Sequence, residues 1–132
     1  GGFLSLAVAA LDKRITFLGV VHDAMCDYSA EVHGVAGGWP HYFYKNTDKL
    51  LNDKVDASMY YDGVNFARRI NVPGWYSFGY NDEVVPPTSS YGLYNIVTAP
   101  KKLSVYQQTG HYWYQEQWDE WQNYIKEHLN VK

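Results

Sequence analysis

The chain of 132 residues is long enough for one domain or part of one, with 46% hydrophobic and 19% charged residues. Its formal charge is −3 and its basic residues come no denser than Lys13-Arg14 and Arg68-Arg69, which argues against nucleic-acid and membrane-surface partners. A single cysteine, Cys26, rules out an internal disulfide, and 17% aromatic residues suit wet, partly apolar surfaces.

In chain order, Gly1-Gly2 leads directly into the apolar run Phe3–Leu11, which predicts a helix buried on all sides. Such a helix belongs at the centre of a domain, so the sequence is expected to continue a preceding segment. The compartment then stays open between cytoplasmic, the working guess, and periplasmic or secreted. Ile15–Val21 is a continuous β-branched and aromatic run, as in a strand covered on both faces. Residues 22–40 predict a loop with a short helix from about Ser29. Residues 41–70 predict helices, with Tyr60, Tyr61, Val64 and Phe66 as an apolar surface.

Val72–Gly79 predicts a second strand, Tyr80–Glu83 a polar turn, and Pro86-Pro87 the entry to a helix carrying Tyr91, Tyr94 and Val97. Leu103–Tyr106 predicts a third strand and Thr109–His111 another turn. A last helix from about Gln115 would dock through Trp118, Trp121, Ile125 and Leu129. This alternation predicts an α/β fold with a mostly parallel sheet and right-handed crossovers.

In such sheets functional groups sit beyond the carboxyl ends of the strands. Asp82 and His111 occupy those positions after the second and third strands. A carboxylate on imidazole Nδ1–H fixes the tautomer and stabilises the imidazolium formed when Nε2 takes a proton. The pair lacks a nucleophile. In hydrolases with the order Ser, Asp, His, the serine lies in a tight G-x-S-x-G turn followed at once by a buried helix. Gly1-Gly2 looks like the tail of that turn, which places the serine outside this chain.

The remaining polar residues carry simpler expectations. His22, Asp23 and Asp27 fit no metal-ligand spacing, and neither metal nor cofactor is expected. His33 and His41 read as surface residues, Cys26 as a small buried apolar one, and Gly34–Gly38 as no phosphate loop because no strand precedes it.

Four stretches resemble the acetyl xylan esterase and cephalosporin C deacetylase family, carbohydrate esterase family seven. They are GGFLSLAVAALDKRI at 1–15, MYYDGVNFARRINVP at 59–73, SFGYNDEVVPPTSSYGLYN at 77–95 and APKKLSVYQQTGH at 99–111. The resemblance implies the C-terminal portion of an α/β-hydrolase fold, lacking the N-terminal strands and the nucleophile turn. It makes residues 1–132 part of one such domain, with Asp82 as triad acid and His111 as triad base. The implied activity is removal of acetyl groups from short xylo-oligosaccharides or related small esters, usually by homo-oligomers. The chain departs from the family in having Tyr112, where Glu is usual after the histidine, and in matching loosely over 22–58.

Trp113 and Tyr114, beside His111, are candidates for a sugar site. Two other readings compete: a serine peptidase of the prolyl-oligopeptidase type, with the same residue order, and a non-catalytic carbohydrate-binding or interaction module. Without serine or oxyanion donors, the chain alone is expected to be inert as an esterase.

Overall fold

The structure, a computed structural model, describes residues 1–130. Three parallel strands, β1 (Leu18–Val21), β2 (Gly74–Gly79) and β3 (Lys101–Tyr106), pair in the order β1-β2-β3. Leu18 lies beside Gly74 and Gly74 beside Lys101, so all three chains run toward one edge in register. Every residue of β2 is buried.

Side-chain alternation divides the core in two. Leu18, Val20 and Tyr76 face helices α1 (Gly2–Leu11), α3 (Gly63–Ala67) and α4 (Pro87–Ile96), packing with Leu6, Ala67 and Leu93. Val21 and Trp75 face α5 (Gln115–Leu129), packing with Tyr124, Phe17 and Trp121. The layers are helix, sheet, helix. A 3-10 turn (Tyr28–His33) and α2 (Leu51–Ser58) fill the long connection between β1 and α3.

Local chemistry sets the element ends. Asp62, 2% exposed, caps α3 through Val64 N–H at 2.8 Å. Its carboxylate also accepts from the N–H groups of Asp27 and Tyr28, tying down the loop after β1. Pro87 opens α4, and Lys101 Nζ donates to the carbonyls of Tyr94 and Val97 at its other end. No described helix is long and apolar enough to cross a membrane.

Several expectations change. The first strand is shorter than Ile15–Val21, because pairing begins where Leu18 N–H meets the Pro73 carbonyl. Helix α1 is not buried all round: Leu6 is fully covered by the sheet and α3, whereas Leu4 and Leu11 are 66% and 64% exposed. Residues 41–50 form turns rather than helix, and Tyr60 and Tyr61 stand in solvent.

On α5 the docking face is rotated from the expected stripe. Gln117 and Tyr124 are buried, Trp121 and Ile125 half-buried, and Trp118 and Leu129 exposed. The cause is polar. Gln117 Nε2 donates to Ser77 Oγ at 2.7 Å, and Ser77 Oγ donates onward to the Ser104 carbonyl at 2.9 Å. That chain gives a buried amide the partners it requires.

Candidate active site

The site lies at the carboxyl edge of the sheet, where the chain after each strand contributes one side chain. Beyond β2, Tyr80 N–H donates to the Tyr106 carbonyl and Asn81 N–H to the Thr109 carbonyl. These bonds zip the two following loops together. The approach requires glycine at position 79: a Cβ there would come within 2.4 Å of the Thr109 and Gly110 carbonyl oxygens.

Asp82, 3% exposed, is thereby brought to His111, and His111 Nδ1 donates to Asp82 Oδ2 at 2.9 Å. Asp82 Oδ1 accepts from Val84 N–H at 2.9 Å and Val85 N–H at 2.8 Å. Burial by itself would raise the carboxyl's pKa. The Val85, His111 and Val84 hydrogen bonds outweigh it and hold the group below the ordinary carboxylate range. The His111 side chain is 41% exposed, and its Nε2 has no hydrogen-bond partner among the described residues. A fixed, ionised carboxylate behind a ring whose outer nitrogen is open is the arrangement of an oriented general base.

A third residue joins them. His22, immediately after β1, places Nδ1 2.9 Å from the same Asp82 Oδ2, and its ring lies 4.6 Å from that of His111, tilted by 46°. The sequence reading set His22 aside with Asp23 and Asp27, and the structure separates those three: Asp23 Oδ1 accepts from Ser90 Oγ at 2.6 Å, on the far side of the loop's turn toward α4. The signal that could have found His22 was its place at the end of a strand, the same criterion that selected Asp82 and His111. His22, Asp82 and His111 offer ligand atoms within 4.8 Å of one another, and both Nδ1 atoms are bonded to Asp82 Oδ2.

The N-terminus of α1 abuts this edge. A Cβ on Gly2 would lie 2.4 Å from the Val21 carbonyl oxygen, one residue before His22. Trp113 and Gly1 share the wall of a recess of about 230 Å³ with Trp118 and Trp121, and the Trp113 and Trp118 rings stack at 4.2 Å. Tyr114 caps α5, its N–H donating to Gln117 Oε1 at 3.4 Å, and its ring meets Tyr112 edge-on. A larger cavity of about 550 Å³ opens along the loop that carries Asp82, with Glu83, Pro86, Val35, His41 and Tyr44 in its wall.

A model of the family described as acetyl xylan esterase matches residues 1–128. The chain belongs to the acetyl xylan esterase family. It is 46% identical over 102 residues to the acetyl esterase Axe7A of Xylanibacter ruminicola, an alignment covering 77% of this chain and 23% of that protein. Its fold is similar to that of the acetyl xylan esterase from Paenibacillus sp. R4, with a TM-score of 0.82 at 24% identity over 95% of this chain and 42% of that one. Acetyl xylan esterase 1 from Thermoanaerobacterium sp. JW/SL YS485 gives a TM-score of 0.79 at 25% identity, over 96% and 42%. The chain thus spans about a quarter of the curated relative and two fifths of these solved ones. The sheet is part of an α/β-hydrolase fold, and His111 Nδ1 lies 2.9 Å from Asp82 Oδ2 at its carboxyl edge.

Proposed function

We propose that this chain supplies the acid and base of a carboxylic ester hydrolase that removes acetyl groups from acetylated xylo-oligosaccharides or related small esters. The observation that carries the reading is the 2.9 Å bond from His111 Nδ1 to buried Asp82, with Nε2 left open. Membership of the acetyl xylan esterase family supports the ester-hydrolase class. The nucleophile is a serine from a segment preceding Gly1, in a tight turn that ends on Gly1-Gly2. The contact of Gly2 with the Val21 carbonyl supports this, because only a residue without a side chain lets the helix enter there.

The serine Oγ attacks the acetyl carbonyl as its proton passes to His111 Nε2, and Asp82 stabilises the imidazolium. The tetrahedral oxyanion collapses, the C–O bond to the sugar breaks, and His111 returns the proton to the leaving hydroxyl. Water, deprotonated by His111 in turn, attacks the acetyl-serine; the acetyl C–Oγ bond breaks as His111 returns the proton to Oγ, and acetate leaves. Residues 1–132 form part of one hydrolase domain and alone are inert. The exposed Leu4, Val8 and Leu11 of α1 favour cover of that face by self-association or by an upstream segment.

The test compares p-nitrophenyl acetate hydrolysis by this chain and by a form extended upstream through the serine turn. Turnover by the extended form only, lost in Asp82→Asn and His111→Ala, supports the reading. Background rates from both overturn it.

A further inference from the structure

We infer that His22 is a positioning residue of this site: it holds the Asp82 carboxylate in place from a third strand. The inference rests on the reading of Asp82 and His111 as acid and base. Its ring is 6% exposed and makes two polar contacts: Nδ1 donates to Asp82 Oδ2 at 2.9 Å, and Nε2 stands 3.2 Å from the Tyr112 carbonyl. The first grips the acid. The second becomes a hydrogen bond only when Nε2 is also protonated, because a neutral ring that donates from Nδ1 carries a lone pair at Nε2.

The backbone at His22 is built for this aim. The residue has φ +48°, in the left-handed region that residues other than glycine seldom occupy. Its N–H still donates to the Ser77 carbonyl and its carbonyl accepts from Ala24 N–H, so the chain reverses sharply just as the strand ends. The turn throws the ring across the end of β2 to Asp82.

With His22 counted, the Asp82 carboxylate receives four donors: two backbone N–H groups on Oδ1 and two imidazoles on Oδ2. That fills the hydrogen-bonding capacity of a carboxylate. Asp82 therefore keeps its orientation even while His111 carries a proton to and from the reacting atoms. Burial first, then the neighbouring His111 ring, holds the His22 imidazole below its ordinary range, against the pull of Asp82. At neutral pH it is uncharged with its proton on Nδ1, the form that donates to Asp82. The titratable groups around it are His111 and Asp82 from the loops after β3 and β2, and Asp23 beside it in the chain.

The experiment uses the chain with 15N-labelled histidine, in the wild type, His22→Asn, His22→Leu and His111→Gln. Asn keeps a donor near the Nδ1 position and accepts a left-handed backbone, whereas Leu keeps the bulk only. The wild type is expected to show slowly exchanging Nδ1–H signals from both His22 and His111. His22→Leu should broaden or shift the His111 signal, His22→Asn should largely restore it, and His22 should protonate at higher pH in His111→Gln. In the extended enzyme, His22→Leu should lower kcat by about tenfold or more with little change in KM.

A wild-type spectrum without the His22 Nδ1–H signal overturns the inference, and so does a His111 signal unmoved in His22→Leu. If His22→Leu fails to fold, the wild-type and His111→Gln spectra still decide. If the extended wild type shows no turnover, the esterase reading fails by itself, while these spectra report on His22 independently.

Discussion

Asp23 is 3% exposed, accepts one hydrogen bond from Ser90 Oγ on Oδ1, and leaves Oδ2 without a partner. Burial pushes its carboxyl up to about 6, and the Ser90 bond only partly offsets this. The folded state thus holds the proton more tightly than the unfolded chain, whose carboxyl keeps the ordinary 3.8. Stability from this group is fully present below the unfolded value and is lost as pH rises through about 6. A shift of about two units corresponds to about 3 kcal/mol, of which about 2 kcal/mol falls between pH 4.5 and 8.

Asp23→Asn removes the titration, keeps the shape, and can still accept from Ser90. Urea unfolding of both forms should show the variant gaining about 2 kcal/mol relative to the wild type between pH 4.5 and 8. His22, held below its ordinary range, costs stability as pH falls and so slopes the opposite way, but it is common to both forms and cancels in the difference. Parallel stability curves across that range would refute the argument.

Gly79→Ala should drive the 109–110 loop away from Asp82, lowering the extended enzyme's turnover at least about a hundredfold. Steady-state kinetics beside a denaturation curve separates that loss from unfolding. A Cβ on Gly19 would come within 2.4 Å of the Trp121 ring, so Gly19→Ala should cost about 1–3 kcal/mol and alter tryptophan fluorescence. Leu4→Lys with Leu11→Lys should reduce self-association, read as a lower sedimenting mass in ultracentrifugation. A wild type that sediments as a monomer counts against the oligomer.

Much of this was legible in the sequence where one signal dominates. Phe3–Leu11, Val72–Gly79, Pro86-Pro87 and the turn at Thr109–His111 each carry their own local cue, and the parallel order follows from their alternation. The places of Asp82 and His111 after strands single them out in the sequence, and the structure joins them by a 2.9 Å bond. What failed was local chemistry with a distant partner. Nothing near Gln117 reveals that Ser77, forty residues earlier, will accept its amide, so hydrophobicity favoured Trp118 as the buried neighbour. Ile15 and Phe17 are good strand formers, yet pairing starts at Leu18 because β2 has no partner for them before Pro73. His22 stands at a strand end as well, but only the reversal at φ +48° shows that its ring reaches Asp82.

The junction at Asp82 Oδ2 also has a meaning for the order of folding. It joins positions 22, 82 and 111, so it can close only after two crossover connections have brought all three strand ends together. Parallel pairing across such separations is slow, because loop entropy must be overcome before the contacts form. A misplaced crossover would leave one donor missing while most of the helix content was already native. The protected imidazole protons at this carboxylate are therefore a late clock for assembly, appearing only once the topology is complete and separating native molecules from compact ones with the wrong connections.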